Sequence, residues 1–478
     1  MANNADHVRN TCWLTREEPK TVQIIYAFPF FVMAAIACVI FLSTPRLRPH
    51  ALSTTKALIR IVLLACLMAP CGINLKGGEA RGLLDCNLRC VDLSDLTSSV
   101  PLTVDASSQI LWQTEAWEHS TFETTGNDSV GYPSVVKNDR GRNADNKYYL
   151  YYAHHDPCSG IGCAVADSIQ GPYRKLASLE TNRSHSMVLA NPHYPIVNPP
   201  VADSSHYSSP CVIWNEDEKL WFMYFHYYNH YHGAWTAGGG AGFGHQMTAL
   251  ASCPDLASHK WTVLKDPKLG KVSVWDIVPV LPTTEKKWMN SQSSYHAIQR
   301  LANGQWLAFL RGTSVDQIVQ LGFATSNDGR KWDCFRENPI IHQNDGGGGL
   351  KGNYRPYFLG YLGKGTAGAD KYLLVWGESP AGSDVPRITY GHTTTFRDVQ
   401  RDSRGYAQWG PGSDGPISPW REGNRLYLFS GKHVQIMTLP VSSKAPGTTE
   451  KEGQQASCSR LRTHKTRTRF AMPPVTCL

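Results

Sequence analysis

The chain has 478 residues with a formal net charge of +8, and 41% of its residues are hydrophobic and 18% charged, which excludes a chain that is disordered throughout. The C-terminal stretch "SRLRTHKTRTR" is strongly basic and has no acidic residue, so the rest of the chain is closer to neutral and the net charge does not indicate a nucleic-acid-binding protein. Aromatic residues make up 10% of the chain, which favours strands and suits sugar binding because flat rings stack on sugar C–H surfaces.

The first predicted element is an N-terminal apolar region. Ile24 to Leu42 is a run of 19 residues without a charge, long enough to span a bilayer, and Arg46 and Arg48 follow it. A second, shorter run from Ile59 to Gly72 resembles the core of a signal peptide. We therefore expect residues 1–75 to be a membrane anchor or signal region, and the protein to be exported, either anchored or secreted. Residues 76–107 are interpreted as a linker.

Beyond residue 107 the sequence repeats a strand pattern five times. Each repeat begins with a short apolar strand, in the order "GYPSVVKND", "YSSPCVIWNEDE", "SSYHAIQRLANG", "YRPYFLGYLGKG" and "ISPWREGN". Each continues after a polar turn with an aromatic strand, in the order "KYYLYYAHH", "KLWFMYFHYY", "QWLAFLRG", "KYLLVWGES" and "RLYLFSG". A third strand follows in all five repeats, and a fourth is evident only in the first three.

Five repeats of an antiparallel meander predict an all-β fold, a five-bladed β-propeller of four-stranded blades over residues 108–441. A β-sandwich with accidental repeats is the alternative. The fifth repeat lacks an outer strand, and Ser108 to Glu123 is positioned to supply it and close the ring. The polar segment 442–478 is predicted to be a disordered basic tail.

The predicted meander also indicates where the functional side chains should lie. The first strand lines the centre and the second returns antiparallel, so the start of one and the end of the other lie at the same face. Residues at these ends should converge on a central funnel. The candidate residues there are Asp128, Tyr132, His154, His155, Asp156, His206, His226, Tyr295, His296, Arg311, Arg355, Glu378 and Trp420.

Two chemistries are open for this set. Glycoside hydrolysis needs two carboxyl groups flanking the scissile bond, for which Asp156 and Glu378 are the leading candidates and Asp128 and Asp203 are the reserves. In that case no cofactor is required, and the histidines, tyrosines, arginines and Trp420 bind the substrate. Alternatively, two or three imidazoles hold a divalent metal, although no HExxH spacing is present to define such a site.

The strands also carry a family resemblance. "KYYLYYAHHD", "SSPCVIWNEDEKLWFMYFH" and "LGFATSNDGRKW" resemble blades of the five-bladed propeller superfamily that contains glycoside hydrolase families 43 and 32. The resemblance covers Asp128 to about Leu439 and implies the fold and a carbohydrate-facing pocket, in an atypical branch.

The resemblance does not carry over the catalytic carboxylates of these families. A catalytic Asp is expected at the start of blade one, where this chain has Gly131 or Tyr132, with Asp128 nearby but displaced. A second Asp is expected early in blade two, where Ser209 and Cys211 stand. The acidic Glu of blade three is missing from "NSQSSYHAI".

The sequence therefore predicts a glycoside hydrolase-like propeller that acts on a saccharide in its funnel. A glycan-binding propeller without activity and a metal-dependent enzyme are the alternatives. The expected partner is an oligosaccharide or polysaccharide, not nucleic acid. We also expect membrane contact through the N-terminal apolar segment, and a monomer.

Overall fold

The computed structural model shows an all-β chain with very little helix. It describes residues 90–96, 103–119, 130–154, 160–191, 206–229, 245–268, 277–281, 287–301, 303–314, 316, 318–342, 355–365, 368–378, 387–402 and 417–440. Within these residues the α-helical structure is a single turn, Ser178–Thr181. The all-β prediction is confirmed, and the strands pair mainly antiparallel, as predicted.

Five antiparallel meanders, here numbered I to V, organise the strands. Meander I consists of β3 (Gly131–Lys137), β4 (Tyr148–Ala153), β5 (Ile161–Ala166) and β6 (Arg174–Lys175). Meander II consists of β8 (Tyr207–Asn215), β9 (Leu220–Asn229), β10 (His245–Cys253) and β11 (Thr262–Val263). Meander III consists of β13 (Gln292–Arg300), β14 (Trp306–Thr313), β15 (Val319–Ser326) and β16 (Asp333–Cys334).

The last two meanders include the strands that sequence patterns did not reveal. Meander IV consists of β17 (Arg355–Lys364), β18 (Asp370–Glu378), β19 (Arg387–Thr393) and β20 (Gln400–Arg401). Meander V consists of β21 (Ser418–Glu422), β22 (Arg425–Ser430), β23 (His433–Thr438) and β2 (Ala106–Gln109). The N-terminal strand β2 pairs antiparallel with β23, so an early segment completes the last meander.

Three further short strands extend these sheets. β1 (Cys90–Asp92) pairs in parallel with β17, β7 (Met187–Leu189) with β5, and β12 (Pro279–Leu281) with β10. The segment predicted as a linker thus contributes β1 and half of β2. The outer strand of meander V ends at Gln109, and residues 110–119 of the segment predicted to close the ring lie outside the strand, with a 3-10 turn at Ala116–Glu118.

The core lies between the meanders rather than inside any one of them. Five apolar clusters each join two consecutive meanders, and one of them joins meander V to meander I. The second strands are therefore buried on both faces, which explains why β4 reads "YYLYYA" with every residue buried instead of alternating polar and apolar residues. The inner strands β3, β8, β13, β17 and β21 also contact one another in sequence, and β21 contacts β3.

The strand register places the start of each inner strand beside the end of the second strand in meanders I, II and III. Gly131 at the start of β3 pairs with Ala153 at the end of β4, and Tyr207 pairs with Tyr227 in meander II. Gln292 pairs with Thr313 in meander III. The starts of the inner strands and the ends of the second strands therefore share one face, which is the face where candidate residues were predicted.

No helix among the described residues is long and apolar enough to cross a membrane. Both N-terminal apolar runs and the basic C-terminal tail lie outside the described residues.

Candidate functional site

Four inner strands carry a β-bulge close to their first residues. The register shifts fall between Gly131 and Ser134, Ser208 and Cys211, Ser294 and His296, and Pro356 and Phe358. At three of these bulges a residue other than glycine has a left-handed φ: Tyr132 at 55°, Ser209 at 52° and Tyr295 at 50°. Bulges redirect side chains and are frequent beside active sites, and a bulky residue at positive φ is strained.

Side chains from four meanders meet on the ring of Tyr295. The ring centroids of His226 and Tyr132 lie 4.8 Å and 6.1 Å from that of Tyr295. The guanidinium carbons of Arg311 and Arg355 lie 4.6 Å and 5.5 Å from the same centroid. The structure thus brings together these five predicted residues, and His206 joins them through His226; we refer to the six as the Tyr295 cluster.

Arg311 is held in place by neutral partners. Its Nη2 donates to Gln292 Oε1 at 3.0 Å and its Nε donates to Thr313 Oγ1 at 3.3 Å. Burial lowers the pKa of Arg311 to about 10, the Tyr295 hydroxyl opposes this lowering, and the charge of Arg355 adds to it. The residue nevertheless keeps an intermediate exposure to solvent.

His206 and His226 form a direct imidazole pair. Their Nε2 atoms are 3.0 Å apart and their rings meet edge to face with centroids 5.1 Å apart. One Nε2 must carry a hydrogen and the other must accept it, so this contact cannot be kept with both rings protonated. The pair can therefore donate to a ligand or exchange a proton, but it cannot hold two positive charges in this geometry.

His296 and His154 are both buried, and Thr248, the cross-strand partner of His226, contacts His296. His296 Nδ1 is 3.1 Å from Thr248 Oγ1, whose hydroxyl donates to the Ser293 carbonyl at 2.9 Å. The Thr248 oxygen then accepts from His296, which fixes the Nδ1–H tautomer. His154 follows β4 directly, at the face that the cluster occupies.

Glu378 is engaged in an ion pair. The carboxylate is fully buried, accepts from Trp376 Nε1 at 2.6 Å and accepts from both terminal nitrogens of Arg401, one of them at 3.0 Å. Arg401 belongs to the outermost strand of meander IV, and its guanidinium also lies 5.2 Å from the Trp376 ring. These contacts account for the buried carboxylate as a structural group, and its predicted catalytic role remains a prediction.

The remaining candidates divide into two groups. Trp420 is buried between meanders V and I, where its ring meets Tyr148 edge to face at 5.6 Å and its Nε1 donates to Glu422 at 3.2 Å. Because Tyr148 begins β4, this contact lies at the far end of the strand, so the structure does not bring Trp420 to the Tyr295 cluster. Asp128, His155, Asp156 and Asp203 lie outside the described residues.

Sequence reasoning missed two neighbours of the cluster. Gln292 and Thr313 contact Arg311, and Thr313 also donates to Gln292 at 3.2 Å. Both positions could have been found from the meander itself, because Gln292 starts an inner strand and Thr313 ends a second strand.

A buried carboxylate elsewhere was also missed. Glu118 accepts from Tyr152 at 2.6 Å, from the Thr114 backbone amide at 2.9 Å and from Lys175. It lies beside a separate depression of about 430 Å³ on the edge of meander I. Ion pairs compensate the charges around this depression, including Lys175 with Glu118, so it offers no unbalanced charge to a ligand.

The metal hypothesis finds no support among the described residues. No group of three or more His, Cys, Asp or Glu side chains in this part of the chain is arranged to hold a metal ion. His155, His230 and His232 lie outside it, so the hypothesis remains untested.

The chain is similar to known glycoside hydrolases. It is 32% identical over 108 residues to an extracellular endo-α-(1→5)-L-arabinanase of Bacillus subtilis, a match that spans 22% of this chain and about a fifth of that protein. A thermostable family-43 glycoside hydrolase is 12% identical, with 67% of this chain and 95% of that chain covered and a TM-score of 0.38. A GH32 β-fructofuranosidase of Bombyx mori is 10% identical, with 63% and 56% covered and a TM-score of 0.41.

The match to the arabinanase agrees with the resemblance to glycoside hydrolases that the strand motifs carry. No family model matches the chain. Since the match to the arabinanase spans only about a fifth of that protein, the activity and substrate of the whole chain are matters for proposal.

Proposed function

We propose that this protein is a glycoside hydrolase-related, five-bladed propeller that binds a saccharide at the Tyr295 cluster. The observation that carries the proposal is the convergence of side chains from four meanders on one tyrosine ring. In this interpretation the five meanders are five blades, and β2 completes the fifth blade.

The chemistry of the cluster suits a sugar. Aromatic rings such as those of Tyr132 and Tyr295 have the flat apolar faces on which sugar C–H groups stack, and imidazole and guanidinium N–H groups can donate to hydroxyl oxygens. Both tyrosines are buried, at 7% and 4% exposure, and each lies at a bulge near the start of its inner strand. Apolar rings combined with a few fixed donors are typical of the linings of small-ligand sites.

Hydrolysis is the second candidate function, and the local similarity to an arabinanase favours it. The Tyr295 cluster itself contains no carboxylate, and Glu378 is bonded to Trp376 and Arg401. Turnover would therefore depend on Asp156, which follows buried His154 by two residues, and on Asp128. Hydrolysis needs two such carboxyl groups across the bond.

The test is a panel of oligosaccharides, beginning with α-1,5-linked arabinan fragments, scored for binding by calorimetry and for product by released reducing ends. We expect wild-type protein to bind at least one glycan. Tyr295→Ala should weaken that binding by about tenfold or more, whereas Tyr295→Phe should retain most of it, because the ring is what contacts the sugar.

A matched control is Tyr361→Ala, which removes a tyrosine from the opposite end of the inner strand of meander IV and should leave binding unchanged. Binding that survives Tyr295→Ala in a folded protein would contradict the proposed site. Product release that disappears in Asp156→Ala while binding persists would establish hydrolysis; binding without product in wild-type protein would leave a glycan-binding propeller.

Export is part of the proposal. The apolar N-terminal runs and the similarity to a protein named as extracellular both support it. Fractionation of cells that express a C-terminally tagged chain tests it, and retention of all the protein in the cytoplasm would contradict it.

A further inference from the structure

Arg311 differs from the other well-packed arginines of the fold in having no acidic partner. Its guanidinium donates only to the neutral side chains of Gln292 and Thr313, and among the residues that the structure describes it forms no ion pair. Four other partly or largely buried arginines are paired with a carboxylate: Arg300 with Asp217, Arg330 with Glu218, Arg401 with Glu378 and Arg421 with Asp95. A cation that is removed from water without a counter-charge is costly unless a ligand supplies one.

A second guanidinium lies at the same place. Arg311 and Arg355 approach the Tyr295 ring from two different meanders, at 4.6 Å and 5.5 Å. The positive charge of Arg355 makes the charged state of Arg311 less favourable. Two like charges that face one tyrosine ring are stabilised together by an anion that binds between or beside them.

Two buried serine hydroxyl groups lie beside members of the Tyr295 cluster. Ser294 lies directly across the strand pair from Arg311, and Ser208 directly across from His226, so each serine shares a face with its neighbour. Both hydroxyl groups are buried, and neither has a hydrogen-bond partner among the residues that the structure describes. Each can donate to a ligand oxygen, and anion sites commonly combine such hydroxyl groups with a guanidinium.

From these observations we propose that the saccharide bound at the Tyr295 cluster is anionic, carrying a carboxylate or a sulfate ester that Arg311 binds together with Arg355 and Ser294. The inference rests on the proposed function and specifies its substrate class. The planar fork of a guanidinium matches the two oxygens of a carboxylate or sulfate, which a sugar hydroxyl does not. The Tyr295 ring then contacts the sugar that bears the group.

The experiment measures binding of three oligosaccharide series of equal length: neutral, uronate-containing and sulfated. We expect wild-type protein to bind at least one anionic series about tenfold or more tightly than the neutral series. This preference should shrink as salt is added, because added ions screen the attraction. The comparison between the uronate and sulfate series identifies which anion the site accepts.

Variants of Arg311 test whether this residue causes the preference for anionic glycans. Arg311→Gln should remove the anionic preference, and Arg311→Lys should keep part of it, since a lysine retains the charge but not the fork. The control Arg300→Gln removes an arginine at the far end of meander III that is paired with Asp217, and should leave the preference unchanged. Thermal unfolding of each variant verifies that it is folded.

The outcomes separate the two proposals. Equal binding of neutral and anionic glycans, or a preference that persists in folded Arg311→Gln, overturns the anionic inference and leaves the saccharide site intact. Binding of no glycan in any series overturns the proposed function as well.

Discussion

Tyr132 and Tyr295 occupy the same irregular position in two different meanders. Each lies at a β-bulge near the start of an inner strand, with φ of 55° and 50°, and their ring centroids are 6.1 Å apart. Extended strands would direct these side chains alternately to the two neighbouring cores. The bulges instead turn both rings to a common place, so backbone strain at these positions coincides with the candidate site.

The bulge at Ser209 allows the strain to be measured without touching either tyrosine. Ser209→Gly should raise the free energy of unfolding by about 0.5–1 kcal/mol, because glycine adopts a positive φ without the steric cost that a Cβ brings. Ser134→Gly is the matched control: this serine lies in an inner strand, outside the positive-φ set, and accepts from the Val212 amide at 3.0 Å. It should be destabilising, as measured by urea unfolding. Equal destabilisation in both variants would contradict the assignment of strain.

Most strands were predictable because their local signals agree. The second strands are long aromatic runs between polar turns, and β4, β9, β14, β18 and β22 extend beyond their predicted segments by no more than one residue. The face that carries the site followed from antiparallel order alone. Local pattern and strand order therefore suffice for the positions of the strands and for which of their ends meet.

Side-chain partners were not predictable in the same way. β20 is two residues long, too short to show a pattern, yet its Arg401 decides the environment of Glu378 from 23 positions away in the chain. Trp420 lies in an inner strand as the tyrosines do, but it faces a core between meanders. Which way a side chain turns at a strand end depends on bulges and on neighbouring sheets, and neither is visible in local sequence.

The Glu378 and Arg401 pair predicts unequal losses from its two members. Arg401→Gln should cost about 3–5 kcal/mol, because it leaves a fully buried carboxylate without its counter-charge. Glu378→Gln should cost less, about 1–2 kcal/mol, because Arg401 is partly exposed and can turn to water. The exposed Arg397→Gln is the control and should change stability by less than about 1 kcal/mol. The free energies of unfolding are measured by chemical denaturation. Equal losses in Arg401→Gln and Glu378→Gln would contradict a structural ion pair.

The variant Glu378→Gln also distinguishes a structural role of Glu378 from a catalytic one. If Glu378 serves only the ion pair, then folded Glu378→Gln should bind glycan, and turn it over if wild-type protein does, at close to wild-type rates. A loss of turnover with unchanged stability would instead support the predicted catalytic role.

Arg311 should be a site where binding is gained at the expense of stability. Its folded-state pKa of about 10 lies below the ordinary pKa of an arginine in an unfolded chain, so the cost of holding the charge is fully present below pH 10 and is lost only as the pH rises further. Arg311→Met should therefore raise the free energy of unfolding at neutral pH by about 1 kcal/mol, a figure reduced for the partial exposure of the side chain. Thermal unfolding without ligand measures this. A marked loss of stability would show that the bonds to Gln292 and Thr313 outweigh the cost of the charge.

His259 predicts how stability falls in acid. The side chain caps a 3-10 turn at φ 54°, lies 6.1 Å from the Tyr149 ring, and has a pKa that burial lowers against the opposing charges of Glu180 and Asp255. The unfolded chain binds this proton first, so stability is unaffected well above pH 6.5 and is lost as the pH falls from there through the lowered folded-state pKa. His259→Asn keeps a residue that tolerates positive φ and should make the unfolding temperature less sensitive between about pH 7 and about pH 5. His433, whose pKa burial also lowers, remains in place, so the sensitivity should shrink rather than vanish. The exposed His342→Asn is the control, and a wild-type slope in His259→Asn would contradict this account.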